Sequence, residues 1–240
     1  MKKGITVQTS NIVRFMSALA RLNQSAETEE GMGILYGHPG EGKTTAIAYA
    51  ATQTNAVYVR ASVVWSVTTM LQTLSEELHL PIGRQRAPML KACAEALSFN
   101  RRPVVVDEAD YICRQNRQAL DILDALRDLY DLSRVPVLLV GLPDDEMVRL
   151  LSPVQTGPFA RFSRRISERV EFNGLRLADA LLVAEQLCEV EMAADVVEEM
   201  HRETGSNIGR LVKRLAQVER AARTNGLTAV DAETYTTLAR

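Results

Sequence analysis

The residues best suited to chemistry run from Gly37 to Thr45: Gly37, His38, Pro39, Gly40, Glu41, Gly42, Lys43, Thr44 and Thr45. The first eight fit the pattern G-x-x-x-x-G-K-T. Glycines admit backbone turns that a Cβ forbids, so successive N–H groups can converge on phosphate oxygens. Lys43 brings a cation to the β- and γ-phosphates, and the Thr44 hydroxyl is a hard oxygen ligand for Mg²⁺. A helix beginning near Lys43 adds the positive end of its dipole. His38 fills a variable position of the pattern. A glycine-rich turn of no special use is the competing account. It fits poorly with the flanks, an apolar run GMGILYG (31–37) before the turn and KTTAIAYAATQT (43–54), with a small-residue face, after it. The pattern implies the phosphate chain of a nucleotide together with Mg²⁺.

A second stretch, RPVVVDEAD (102–110), supplies what a phosphate loop lacks. Asp107 lies at the carboxyl end of an apolar strand, where open α/β sheets place their ligands. It can hold Mg²⁺ directly or through water. Glu108 points elsewhere, and aimed at the γ-phosphate it can orient or deprotonate the attacking water. The alternative is a pair of acids that only cap a helix. Against it stands the apolar run that leads straight into Asp107. Asp110 and Tyr111 read as structural.

Holding these groups requires strands that end at a common edge, and the remaining sequence provides them. Strands are expected at 31–37, AVYVRA (56–61), 102–110, VPVLLVGLPD (135–144) and RVEFN (169–173). Helices are expected at SNIVRFMSALARLNQ (10–24), capped by Ser10 or Asn11, and at 43–54, 64–79, 87–99 and 116–132. Strands alternating with helices give an α/β fold with a parallel five-stranded sheet flanked by helices. After Gly174 every stretch reads as helical. The expected organisation is an N-terminal helix and linker (1–30), an α/β core (31–173) and a small helical lid (174–240).

Composition narrows the function classes. The chain has 240 residues, 46% of them hydrophobic, and a formal net charge of -2, so any nucleic-acid binding must come from a local basic patch. Cys93, Cys113 and Cys188 lack metal-ligand spacing and read as buried thiols of a reducing compartment. No run is apolar and long enough for a membrane span, and the N-terminus has no signal-peptide core, so a cytoplasmic protein is expected.

With phosphate loop, Asp-Glu strand end, fourth strand, arginine-rich segment and helical lid, the chain resembles the AAA+ ATPases over nearly its whole length. The resemblance implies ATP hydrolysis at subunit interfaces, with an arginine from the neighbouring subunit stabilising developing phosphate charge. FARFSRRISERVEF (159–172) carries Arg161, Arg164, Arg165 and Arg169; Arg164 or Arg165 is the expected finger, with Arg161 behind, and a solvated basic face is the alternative. Two departures stand out. The fourth strand ends in Gly141, Leu142 and Pro143, so its polar sensor is either weak or supplied by Asp144. The lid turn GSNIGRL has Gly209 where the family places its first arginine, leaving Arg210 to face the nucleotide from a different angle. Both departures imply modest hydrolysis, or hydrolysis dependent on assembly.

Within that superfamily the compact layout is most similar to the DNA-transposition ATPases, the target-DNA activators of Mu-like transposing phages among them. The matching residues are MGILYGHPGEGKTTA, TTMLQTLSEELHLP and PVVVDEADYI, with the short N-terminal helix and small lid. The resemblance implies ATP-dependent filaments of the chain on double-stranded DNA and delivery of that DNA to a transposase. Arg60, Arg84, Arg86 and Lys91 are the candidate DNA contacts, ahead of Arg101 and Arg102, which read as solvated residues at a strand start. Trp65 could stack on a base, but one tryptophan in an apolar stretch is more often core. The basic lid stretch 209–223 reads by default as a solvated helix face. A nucleotide switch in secretion or signalling and a helicase loader share the same core layout.

Overall fold

The structure, a computed structural model, describes residues 1–25, 31–113, 117–143 and 160–238. Five strands, β1 (Met32–Gly37), β2 (Val57–Arg60), β3 (Val104–Asp107), β4 (Val137–Gly141) and β5 (Ile166–Phe172), form one sheet in the order β2-β3-β4-β1-β5. The pairs β2–β3, β3–β4 and β4–β1 are parallel. The α/β fold, a five-stranded parallel sheet flanked by helices, is the one read from the sequence. The chain packs as two compact units. One is Phe15–His38 with Ala46–Glu171; the other is Met1–Arg14, Pro39–Thr45 and Phe172–Arg240.

In the first unit β1, β3 and β4 are buried on both faces, as central strands of a parallel sheet are, while the edge strands β2 and β5 keep partly exposed residues. Ile34, Val59, Val106 and Leu139 join Met70 and Leu74 of α3 (Val67–Glu77), Leu97 of α4 (Arg86–Phe99) and Leu126, Leu129 and Tyr130 of α5 (Arg117–Ser133) in one core. Each such side chain is worth about 1.5–3 kcal/mol when fully buried. The later turns of α1 (Ser10–Ser25) press on β1 so closely that a Cβ at Gly33 would lie 2.7 Å from Leu22 Cδ1. Register sets Arg60 beside Asp107 and Tyr36 beside Gly141, so β1 to β4 finish along one edge.

Local chemistry corrects several sequence-derived boundaries. α3 starts at Val67, not at 64, because Ser66 and Thr69 form a capping box, each side chain serving the other's N–H. Trp65 is left outside the helix and is buried, 6% exposed. β3 stops at Asp107 because Glu108 takes a left-handed conformation (φ +54°, ψ +38°) that no strand continues. β5 starts at Ile166, three residues before the expected 169, after the short helix α6 (Ala160–Ser163).

The second unit holds α2's first residues (α2, Lys43–Thr54), then α7 (Leu177–Leu187), α8 (Ala194–Glu203), α9 (Ile208–Thr224) and α10 (Ala232–Leu238). It also contains a two-stranded parallel ribbon, β6 (Glu191–Met192) with β7 (Ala229–Val230), where only helices were expected. Strands of two residues carry no periodicity to read. Val183, Val197, Met200, Leu211, Leu215 and Val218 form the core, and Val7 of the N-terminal segment joins it. Ser10 N and Oγ donate to Asp179 Oδ1 at 2.9 and 3.0 Å, and Asn11 Nδ2 donates to the Asn173 carbonyl at 2.8 Å. Buried Glu219 on α9 accepts the N–H groups of Glu189 and Val190 at 2.6 and 3.4 Å, which fixes the chain between α7 and β6.

Candidate nucleotide site

The phosphate loop follows from its glycines. Gly40 and Gly42 have φ of +83° and +89°, in the region that L side chains avoid. Gly37 is not in that region; it ends β1 and is buried there. The next residue after Gly42 starts α2, whose first-turn N–H groups have no acceptor within the helix. Lys43 is half-buried, while His38, Thr44 and Thr45 are exposed.

Within the same unit the loop is fastened to the start of α9. Asn207 Nδ2 donates to the Pro39 carbonyl at 2.9 Å, and the Gly209 N–H donates to the Gly40 carbonyl at 2.9 Å. Arg210, expected near the nucleotide, has an exposed side chain, and its N–H donates to Asn207 Oδ1 at 3.1 Å. Beside the loop lies a cavity of about 390 Å³. Ile5, Val7, Val183, Leu187, Ile208 and Val212 form its apolar walls, and Glu41, Gly42 and Thr45 border it. Apolar walls beside an anion cradle suit a flat heterocyclic base.

The acid pair belongs to the other unit. Asp107 is buried (8% exposed), and both carboxylate oxygens have donors: Tyr58 Oη at 3.0 Å on Oδ2 and the Glu108 N–H at 2.9 Å on Oδ1. Burial, and then the negative charge of Asp107, push the Tyr58 hydroxyl up to about 12, so it stays protonated and donating. Tyr58 was not singled out from the sequence. The available signal was a phenol on the strand next to β3, two residues before Arg60. Glu108, in its left-handed conformation, forms an ion pair with Arg60 across the β2–β3 ends. A non-glycine residue at positive φ is costly and persists where surrounding structure holds it, often at functional sites.

Thr44 offers a hydroxyl in one unit and Asp107 a carboxylate in the other, each a hard oxygen of the kind Mg²⁺ takes. Among the described residues no group of three or more His, Cys, Asp and Glu forms an all-protein metal site.

The arginines separate. Arg165 is held by Asp131 of α5, Nε to Oδ1 at 3.1 Å and Nη2 to Oδ2 at 3.5 Å. Arg169 Nη1 donates to the Ile166 carbonyl at 3.1 Å. Arg164 is exposed. The side chain of Arg161, and Asp144, lie outside the described residues. Arg84, Arg86 and Lys91 are exposed; Arg86 Nε donates to Thr68 Oγ1 at 2.9 Å and Lys91 lies 3.7 Å from Glu95. Arg101 and Arg102 brace turns by donating to the carbonyls of Arg134 (3.0 Å) and Asn55 (2.7 Å). After Arg60 the loop turns out Val63 and Val64, 66% and 77% exposed. No described helix is long and apolar enough to cross a membrane.

Comparison with known proteins adds to this geometry. A family model described as an AAA domain matches residues 26–148, 123 of the 240. The fold is shared with Cdc6p of Pyrobaculum aerophilum (16% identity, 99% of this chain and 69% of that chain, TM-score 0.68). It is shared with the ORC1 protein of Aeropyrum pernix, solved in complex with DNA (16% identity, 99% and 66%, TM-score 0.62). It is also shared with the RuvB Holliday junction branch migration motor of Thermotoga maritima (18% identity, 95% and 67%, TM-score 0.61). No curated protein sequence matches the chain.

Proposed function

The chain belongs to the AAA domain family, and from that premise we propose that it is an ATPase that binds double-stranded DNA without sequence preference, assembles on it as a homo-oligomer or filament, and delivers it to a transposase that it stimulates. In this reading Gly37 to Thr45 cradle the phosphates, the base enters the cavity beside Ile208 and Val212, and Glu108 orients the attacking water. Thr44 and Asp107 would hold Mg²⁺, which would supply positive charge to neutralise the triphosphate. Tyr58 keeps Asp107 in one rotamer. Arg164, exposed and on the segment before β5, is the arginine that reaches a neighbouring subunit's nucleotide; Arg165, engaged by Asp131, holds that segment on α5. The protein works in the cytoplasm of a bacterial host.

One observation carries the link between DNA and hydrolysis. Arg60, the foremost candidate for a phosphate-backbone contact, is the residue that pairs with Glu108. While the guanidinium engages it, the carboxylate is not aimed at a water. A polyanion that draws Arg60 away releases it. Hydrolysis is therefore slow in the free protein and faster on DNA. Multiplication of one such contact along a polymer lets a chain of net charge -2 hold DNA.

The names of the structural neighbours, a DNA-bound ORC1 and a branch migration motor, support a DNA-associated role. The transposition role rests on the resemblance of the phosphate loop, acid pair and lid to the transposition ATPases. The likeness to Cdc6p favours a second reading, a loader or initiator ATPase. Fluorescence polarisation with labelled duplexes in ATP, ADP or no nucleotide tests the shared part. ATP-dependent binding, equal for unrelated sequences and growing with duplex length, is expected. No affinity at low salt would end both readings. Stimulation of strand transfer when a transposase is added, against recruitment of a replicative helicase, then separates them.

A further inference from the structure

We propose that Asn207 is a positioning residue for nucleotide binding. It clasps the phosphate loop to the start of α9 and so aims two loop N–H groups at the phosphates. The inference rests on the loop being a phosphate site.

Asn207 uses both ends of its amide. Oδ1 caps α9 by accepting the Arg210 N–H at 3.1 Å, and Nδ2 donates to the Pro39 carbonyl at 2.9 Å. Two residues on, the Gly209 N–H donates to the Gly40 carbonyl at 2.9 Å. Consecutive loop carbonyls are thereby pinned to one helix end. In a trans peptide the C=O and N–H point to opposite sides, and no described peptide bond is cis. Pinning the Pro39 and Gly40 carbonyls therefore turns the N–H groups of Gly40 and Glu41 to the side away from α9. These are the donors a phosphate needs. Without the clasp, peptides around a glycine at φ +83° reorient at little cost, and each phosphate must then order them on binding.

Sterics agree. A Cβ on Gly40 would fall 2.5 Å from Asn207 Oδ1, so the two residues occupy one fitted site. An ideal Cβ on Gly209 already lies 3.4 Å from the Gly40 Cα and carbonyl oxygen, so a small residue there lets α9 begin this near the loop. The clasp also uses up two of the four orphan N–H groups of α9's first turn, those of Gly209 and Arg210. The start of the lid helix thus grips the loop's backbone.

Plain helix capping is the competing role, and serine separates the two. Asn207→Ser keeps a neutral side chain of equal capping strength but is too short to serve both Arg210 and Pro39. With the full chain, ADP and adenosine affinities are measured by calorimetry. Amide hydrogen exchange of residues 38–45 is followed without nucleotide. The expected result is a melting temperature within a few degrees of the parent, adenosine binding within twofold of the parent, ADP binding about tenfold weaker because the phosphates must now order the freed peptides, and faster exchange at Gly40 to Gly42. ADP affinity within twofold of the parent, or an equal fall for adenosine and ADP, overturns the proposal. If the parent itself binds no ADP, the nucleotide reading fails separately, and hydrogen exchange decides the clasp: protection unchanged in Asn207→Ser sinks it.

Discussion

The phosphate loop and the acid pair are built from different materials. The loop is made of main chain: glycines at positive φ, a helix start, and carbonyls held by Asn207 and Gly209. The acid pair is made of side chains: Tyr58 on Asp107 and Arg60 on Glu108, each reaching across from β2 to β3. A backbone site is fixed by what conformations its residues allow, and most of its side chains are free to vary. A side-chain site is fixed by which partner sits on the next strand, and it can be switched by anything that competes for that partner. The first region suits constant tight binding, the second suits control.

Substitutions can break this contrast. Glu108→Gln should lower DNA-stimulated turnover by about 10²-fold or more, the usual range for a lost general base, while ATP affinity stays at the parent value; turnover equal to the parent would remove Glu108 from the chemistry. Lys43→Ala should weaken ATP binding by roughly 10- to 100-fold, as for a hydrogen bond to a charged group, and leave the Arg60–Glu108 pair untouched. Calorimetry shows both, and a loss of ATP affinity in Glu108→Gln as large as in Lys43→Ala would erase the distinction between the regions. Tyr58→Phe removes only an orienting hydroxyl, so a loss of a few-fold in turnover is expected, about 1 kcal/mol for one neutral hydrogen bond.

The smallest effect is in stability. Tyr58 in the fold keeps its proton up to about 12, above its ordinary value near 10. Between those values the unfolded chain binds fewer protons than the folded one, so stability falls as pH rises through that window. Tyr58→Phe should flatten the decline. Urea titrations of both proteins at pH 9 and pH 11.5 measure it, and parallel declines would show that Tyr58 is not held as described.

Main-chain features were the more legible in sequence. G-x-x-x-x-G-K-T states its own conformation because Gly40 and Gly42 sit where only glycine is comfortable, and the strand before it reads as one unbroken apolar run. Asp107 and Glu108 were legible as types at a strand end. Their partners were not, since Tyr58 and Arg60 lie 49 and 48 residues away in sequence and meet them only through the β2–β3 register. Asn207 was passed over for Arg210, its neighbour in the same turn, because a motif offers an arginine side chain and says nothing of a carbonyl waiting at Pro39. The fifth strand was misjudged in extent and the β6–β7 ribbon was not expected, for a simpler reason: short or edge strands alternate too few residues to outweigh their surroundings.

The coupling of Arg60 to Glu108 is tested most directly by steady-state ATP turnover of the parent and of Arg60→Ala, each with and without duplex DNA at low salt. Turnover of the parent should rise several-fold with DNA. Arg60→Ala should already run at or above that raised rate without DNA and respond little when it is added. A variant whose turnover stays at the parent's unstimulated rate and still climbs with DNA contradicts the restraint of Glu108 by Arg60.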